Sequence, residues 1–155
     1  MNPDFRDILS AFIAEGVEFL LVGAYALAVH GVPRATGDID LWVRPTPENA
    51  ARVRGALAKF GAPVSELTVA DLAAPDLIFQ VGVAPRRIDV ITSISGVEFV
   101  QAWANRIEVP IQGLTVPVLG REDFIRNKRA SGRPKDAADV ALLEETEGSG
   151  PSRGE

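Results

Sequence analysis

The 155-residue sequence predicts an α/β (α+β) protein, a mixed β-sheet flanked by helices. Three observations predict it. Helix-period and strand-like apolar segments alternate over the first 92 residues. A hairpin pattern centred on Gln112-Gly113 then breaks the alternation. Two helix-like segments, Glu122 to Ala130 and Pro134 to Glu145, close the chain as a C-terminal helical pair. One domain is expected over residues 1–145, followed by a disordered Gly- and Ser-containing tail at 146–155.

The elements follow in order. Asn2-Pro3 reads as an N-cap with proline at the first helical position. Phe5, Ile8, Leu9, Phe12 and Ile13 then recur at helical spacing, and Gly16 ends the helix. Val17 to Val22 is an apolar strand interrupted only by Glu18. Gly23 turns the chain into a short helix, Ala24 to His30, closed by Gly31. After a loop, Asp38 to Val43 is the second strand. Thr46-Pro47 opens a helix with Ala50, Val53, Leu57 and Phe60 inward and Gly61 as its stop. Thr68 to Ala73 gives one or two helical turns. Leu77 to Val83 and Arg87 to Thr92 are strands joined through Ala84-Pro85, and Val97 to Trp103 is a short helix. Arg106 to Pro110 and Leu114 to Leu119 form the hairpin.

Composition narrows the function class. Hydrophobic content of 46% and charged content of 24% are those of a soluble globular protein, with no run of about 18 apolar residues to span a membrane. No signal peptide opens the chain, and the absence of cysteine excludes disulfide and thiolate chemistry. Cytoplasmic localisation is expected. A single histidine, His30, argues against a zinc site and reads as a helix C-cap rather than a base. A net charge of −5 opposes purely electrostatic binding to nucleic acid, although Arg121 to Asp136 is locally basic.

The sequence's most informative feature is "TGDIDLWV", where Asp38 and Asp40 interrupt an apolar strand. Side chains alternate along a strand, so both acids share one face, with Cβ atoms roughly 7 Å apart. Ile39, Leu41 and Val43 face the other way. Like charges so placed repel unless offset, and carboxylate oxygens suit Mg²⁺. The structural alternative has Asp38 capping the turn after Gly37 and Asp40 pairing with Arg34 or Arg44. A third acid, Asp89, stands inside the apolar strand "RRIDVIT". If that strand lies beside Asp38 to Val43, three carboxylates converge. Such a trio can hold two metal ions about 3.5–4 Å apart for displacement at phosphorus.

The turn at Gly23 adds a phosphate-binding design. Glycine lets backbone approach closely, and a helix N-terminus offers free N–H groups to an anion.

"VGAYALAVHGVPRATGDIDLWV" with Asp89 downstream resembles the DNA-polymerase-β-type nucleotidyltransferase superfamily. "RATGDIDLWV" and "VLGREDFIRNKRASGRPKDAADVALLE" resemble its AbiEii/AbiGii-like toxin branch. The likeness covers residues 5 to 145. It implies the nucleotidyltransferase fold, with Asp38, Asp40 and Asp89 as catalytic metal ligands. It also implies Mg²⁺, two ions with Mn²⁺ as a substitute, and a nucleoside triphosphate as substrate. Gly23, Ala24 and Lys128 would hold the triphosphate. Ala24 stands where the superfamily has Gly or Ser and offers only its backbone N–H. Arg34 would neutralise phosphate, Thr36 would order the loop, and Asp136 would capture neighbouring basic side chains or cap its helix.

The reaction implied is transfer of a nucleotide to an acceptor hydroxyl with release of pyrophosphate. As part of a toxin–antitoxin or abortive-infection pair, the acceptor would be RNA, for example tRNA, or a partner protein. A different class of reading is an inactive module of the same fold that acts through a partner.

Overall fold

The computed structural model describes residues 1–83 and 86–146. The Ala84-Pro85 link and residues 147–155 of the tail lie outside them. Seven helices and six strands follow in the order α1 Pro3–Ala14, β1 Phe19–Val22, α2 Gly23–Val29, β2 Asp38–Val43, α3 Pro47–Phe60, α4 Val69–Ala73, β3 Ile78–Val83, β4 Arg86–Ile91, α5 Phe99–Ala104, β5 Ile107–Ile111, β6 Leu114–Val118, α6 Arg121–Ser131 and α7 Pro134–Glu145. The six strands form one sheet in the order β3-β4-β2-β1-β6-β5. It is mixed, as the sequence implied. The β1–β2, β3–β4 and β5–β6 pairs are antiparallel, while β1–β6 and β2–β4 are parallel.

Local chemistry accounts for the helix ends. The Asn2 side chain accepts a hydrogen bond from the Asp4 N–H at 2.7 Å, with Pro3 behind it. Phe5, Ile8, Leu9 and Phe12 of α1 are buried. Ile13, expected on the same stripe, is exposed. It falls at the border of the arc those four residues cover at 3.6 residues per turn. At α4, Thr68 and Asp71 cap each other reciprocally. Helix α5 starts two residues later than expected because Val97 is taken up in a β-bridge with Ile94.

All four residues of β1 are buried, which marks it as the strand covered on both faces. On one face, α1 and α3 pack on each other, and Phe12 meets Phe19 edge-on at 5.3 Å. On the other, Trp42 meets Phe99 of α5 edge-on at 5.0 Å. Trp42 has the strand parity of Asp38 and Asp40, so α5 lies on the side of the sheet that carries the acids. Trp103 stacks on Phe99 at the rim and is covered by the Arg106 guanidinium, 3.9 Å from its centroid.

The end of the sheet opposite the acids is fastened by Asn49 of α3, a residue with no sequence signal of its own. Its side chain accepts the Glu18 N–H at 2.8 Å and donates to the Glu18 and Arg44 carbonyls, both at 3.0 Å. These three bonds join the start of β1 to the end of β2 and so fix their register. Asn49 is 2% exposed. Asn49→Ala leaves the Glu18 N–H without its partner, while the Glu18 and Arg44 carbonyls keep the N–H groups of Arg44 and Thr46, and it should cost about 1–3 kcal/mol of unfolding free energy. Urea denaturation of the two proteins measures it.

Candidate active site

The site is built on β2 and β4. Their parallel register sets Asp38 opposite Arg87 and Asp40 opposite Asp89. Cross-strand partners point to the same face, so Asp38, Asp40, Arg87 and Asp89 form one patch. The condition left open in the sequence, that the Asp89 strand lie beside Asp38 to Val43, is met. Ile39, Leu41 and Val90 are fully buried on the opposite face, which holds both strands in that orientation.

Strand β1 supplies the third wall. Val22 pairs with Asp40, so the next residue, Gly23, lies directly under the Asp40 side chain. Gly23 has φ +74°, and a Cβ there would stand 2.0 Å from Asp40 Oδ2. Only glycine satisfies both the backbone and the space. Helix α2 begins at Gly23 without a side-chain cap, since Val22 precedes it. Its leading N–H groups, including that of Ala24, therefore have no capping side chain beside the carboxylates.

Arg87 is the residue that sequence reasoning missed. Its Nε donates to Asp89 Oδ1 at 2.8 Å, and its Nη2 donates to Asp89 Oδ2 and Asp38 Oδ2, both at 3.1 Å. The candidates considered as structural partners for Asp40 are engaged elsewhere. Arg34 pairs with Asp139 and Arg44 with Glu18. The available signal was period two, which puts Arg87 on the face of Asp89.

Asp40 receives the least relief. Its pKa is raised to about 6, first by burial, then by the charges of Asp89 and Asp38 and a hydrogen bond with Asp89. Arg87 opposes this only weakly. Three hard oxygen donors, one of them short of a counter-charge, are the donor chemistry of a divalent-cation site. In this arrangement Arg87 lies between Asp38 and Asp89, and among the described residues no three such side chains stand ready around one ion. The carboxylates fit the metal chemically once the guanidinium has parted from them.

The loop before β2 is ordered by Thr36, whose Oγ1 accepts the Asp38 N–H at 3.0 Å. A second charged network lies behind that loop. Lys128 is 8% exposed, with Nζ 3.3 Å from Asp136 and 3.2 Å from Asp139. Asp139 also takes Arg34, and Asp136 takes the Arg133 guanidinium. Asp136 additionally accepts the Arg133 N–H at 3.2 Å, so it both captures a basic side chain and caps α7. These bonds, led by the Arg133 side chain, hold its carboxyl far below the usual range. Lys128, read from the sequence as a triphosphate contact, is thus paired inside the helical pair. The structure joins Arg34, Lys128 and Asp136 in one network, and Gly23, Asp38, Asp40 and Asp89 in another. The Arg34 to Asp38 chain connects the two. His30 is the C-cap of α2, with Nε2 2.8 Å from the Leu119 carbonyl, and burial lowers its pKa.

Two clefts flank these networks. One of 280 Å³ between α6 and α7 is lined by Lys128, Arg129, Arg133 and Val140. The other, of 340 Å³, lies at the far end of β2 among Trp42, Arg44, Thr92 and Phe99, away from the carboxylates.

A family model described as nucleotidyltransferase of unknown function (DUF6036) matches residues 7–145, most of the chain. The chain belongs to this family. Solved structures show the same nucleotidyltransferase fold. A putative nucleotidyltransferase from Thermotoga maritima (TM1012) superposes with a TM-score of 0.63 at 18% identity, covering 94% of this chain and 95% of that one. The antibiotic-resistance factor ANT(2")-Ia, in complex with adenylyl-2"-tobramycin, gives 0.61 at 19% identity, covering 94% and 88%. The lincosamide antibiotic adenylyltransferase LnuA, lincomycin-bound, gives 0.57 at 16% identity, covering 93% and 96%. No curated protein matches. The fold expected from the sequence is therefore the one observed, and the chain is a nucleotidyltransferase. Membership in the AbiEii/AbiGii-like branch does not follow from these matches. Among the described residues, no helix is long and apolar enough to cross a membrane.

The nucleotidyltransferase should show the charge crowding at Asp40 in its pH dependence. A carboxyl raised from 3.8 to about 6 in the folded state stabilises the fold fully below pH about 4, and that contribution is lost as pH rises through about 6. Asp40→Asn removes the titration. The metal-free variant should gain about 1–3 kcal/mol on wild type between pH 4 and 8. Denaturation in EDTA across that range measures the gap. Lys128→Met should instead lower stability by about 1–3 kcal/mol, since Asp136 and Asp139 keep Arg133 and Arg34 but lose their shared buried cation. Lys135→Met, at an exposed position, serves as the control for that loss in the same assay.

Proposed function

We propose that this chain transfers a nucleotide from a nucleoside triphosphate to an acceptor hydroxyl with release of pyrophosphate, using Asp38, Asp40 and Asp89 as Mg²⁺ ligands. The observation that carries the reading is the Asp40 carboxylate lying on the bare Cα of Gly23 while facing Asp89 across the strand pair. That contact sets an acidic cluster against an uncapped helix start, the pairing that a metal–triphosphate complex needs. The metal, with two ions or Mn²⁺ equally suited to oxygen donors, would supply charge neutralisation at phosphorus and acidify the attacking hydroxyl.

The chain's own groups have separate tasks in this reading. The N–H groups of Gly23 and Ala24 bind phosphate oxygens. Asp89, only 8% exposed, is held by β4 and in this reading completes the metal site and helps to activate the acceptor hydroxyl. Thr36 keeps the loop folded so that Arg34, 39% exposed, can offer its guanidinium to the triphosphate. Asp136 fixes the α6–α7 junction through Arg133, and Lys128 contributes triphosphate-side positive charge from behind Arg34. One domain, residues 1–145, carries all of these groups, and the cytoplasm supplies the triphosphate and the metal.

The acceptor is proposed as RNA, such as tRNA, or a partner protein in a toxin–antitoxin or abortive-infection pair, following the sequence likeness to the AbiEii/AbiGii-like branch. A small-molecule hydroxyl is the second reading. It is favoured by two structural neighbours, one a lincosamide antibiotic adenylyltransferase with lincomycin bound and the other holding adenylyl-2"-tobramycin. A net charge of −5 also suits a small or cationic acceptor better than a polyanion.

Calorimetry with each triphosphate tests the core of the proposal. Binding should require Mg²⁺, vanish in EDTA, and weaken at least about tenfold in Asp40→Asn, while nucleotide transfer falls by orders of magnitude. Equal triphosphate affinity in EDTA and in Mg²⁺ would overturn the metal role of the carboxylates.

A further inference from the structure

We propose that Arg87 is a built-in counter-ion that holds the carboxylates of the metal-free enzyme and gives way only when metal and triphosphate arrive together. The inference rests on reading Asp38, Asp40 and Asp89 as metal ligands. Arg87 would then decide when the site can be loaded.

The geometry makes Arg87 a competitor. Its planar fork satisfies both oxygens of Asp89 and one oxygen of Asp38, with three hydrogen bonds of 2.8, 3.1 and 3.1 Å. Mg²⁺ needs lone pairs of the same carboxylates at about 2.0–2.1 Å. A guanidinium lying between Asp38 and Asp89 and an ion bridging them cannot share that space. Among the described residues, no other cation is hydrogen-bonded to these carboxylates. Arg34 is held by Asp139 and Arg44 by Glu18. Arg87 is also free to leave, because its side chain is 30% exposed, whereas that of Asp89 is 11% exposed and stays fixed in β4.

A consequence follows for the order of loading. Metal alone must displace Arg87 into water, where it loses three charge-assisted bonds. A metal–triphosphate complex would bring phosphate oxygens to the same face, and a guanidinium donates to phosphate oxygens as readily as to carboxylate oxygens. Arg87 then exchanges one set of partners for another. Metal and nucleotide therefore assist each other's binding, and by linkage the coupling is mutual. Removing the guanidinium should tighten the binding of metal alone and weaken that coupling. A residue serving only as a strut would have the opposite effect on metal affinity, since its loss would let the carboxylates spread.

Mn²⁺ titration of the full chain, followed by the paramagnetic signal of the free ion, tests this without turnover. Wild type, Arg87→Gln and Arg87→Lys are compared with no nucleotide, then with a non-hydrolysable triphosphate. Arg87→Gln should bind Mn²⁺ about tenfold more tightly than wild type, with a reduced gain on adding nucleotide. Arg87→Lys keeps the charge but loses the fork and should fall between them. It also stands in if Arg87→Gln does not fold. Mn²⁺ affinity that is unchanged or weaker in the folded variants overturns the counter-ion role while leaving the metal site intact. Absence of Mn²⁺ binding in every protein, with and without nucleotide, overturns the metal reading of the carboxylates and this inference with it.

Discussion

The site depends on one close approach, the Asp40 carboxylate over the bare Cα of Gly23. It ties three strands together. The Val22–Asp40 pair fixes β1 against β2, and the Asp40–Asp89 pair fixes β2 against β4. The positive φ of Gly23 then directs the chain out of the sheet and into α2. A side chain at this position would push Asp40 off its face and tilt the start of the helix. The distant Asn49 clamp belongs to the same construction, because it holds the other end of the β1–β2 pair in the register that the contact needs.

Period-two and period-3.6 patterns made much of this legible. They assigned the mixed sheet and the C-terminal helical pair, and they put Asp38 and Asp40 on one face. They could not assign the pairing of β2 with β4, which is non-local, so the approach of Asp89 stayed conditional. Arg87 was passed over because partners for the acids were sought near them in sequence, at Arg34 and Arg44. Across a parallel pair, the nearest cation in space is instead 49 residues away from Asp38. The same applies to Lys128. Its setting in a basic run suggests an exposed, ligand-facing charge. Its burial depends on Asp139 of the next helix, and no local pattern reveals that packing. Asn49 carried no signal because one polar residue near a helix start reads as ordinary N-terminal composition.

Electrostatics divides the molecule into two unlike halves. Around α6 and α7, acids and bases alternate in space, and the buried Asp136 and Asp139 each have two cationic partners, while the buried Asp123 pairs with Arg126. Asp136 is held ionised there by Arg133, hydrogen bonds from Ser131 and the Arg133 N–H, and Lys128. Around β2 and β4, three carboxylates share one guanidinium, and Asp40 is pushed toward its protonated form. The chain therefore neutralises charge around α6 and α7 and leaves it under-compensated on β2 and β4, the imbalance on which the proposed metal role rests.

That imbalance explains why the fourth charged residue of the patch is an arginine. A fourth carboxylate would add repulsion that the metal-free fold cannot absorb. A lysine would neutralise one charge at a point and leave the two strands free to splay. Arginine spans the gap from β4 to β2 with a rigid fork, so the metal-free carboxylates keep nearly the spacing set by the backbone register. Its long stem also reaches solvent without moving either strand. Under the proposed metal role, the stabilisation that Arg87 gives the carboxylates is the quantity that a metal ion would have to exceed. If the proposed metal binds there, a counter-ion of intermediate strength lets the fold persist before the metal arrives and still admit it, and a partly exposed guanidinium on two carboxylates is such a counter-ion.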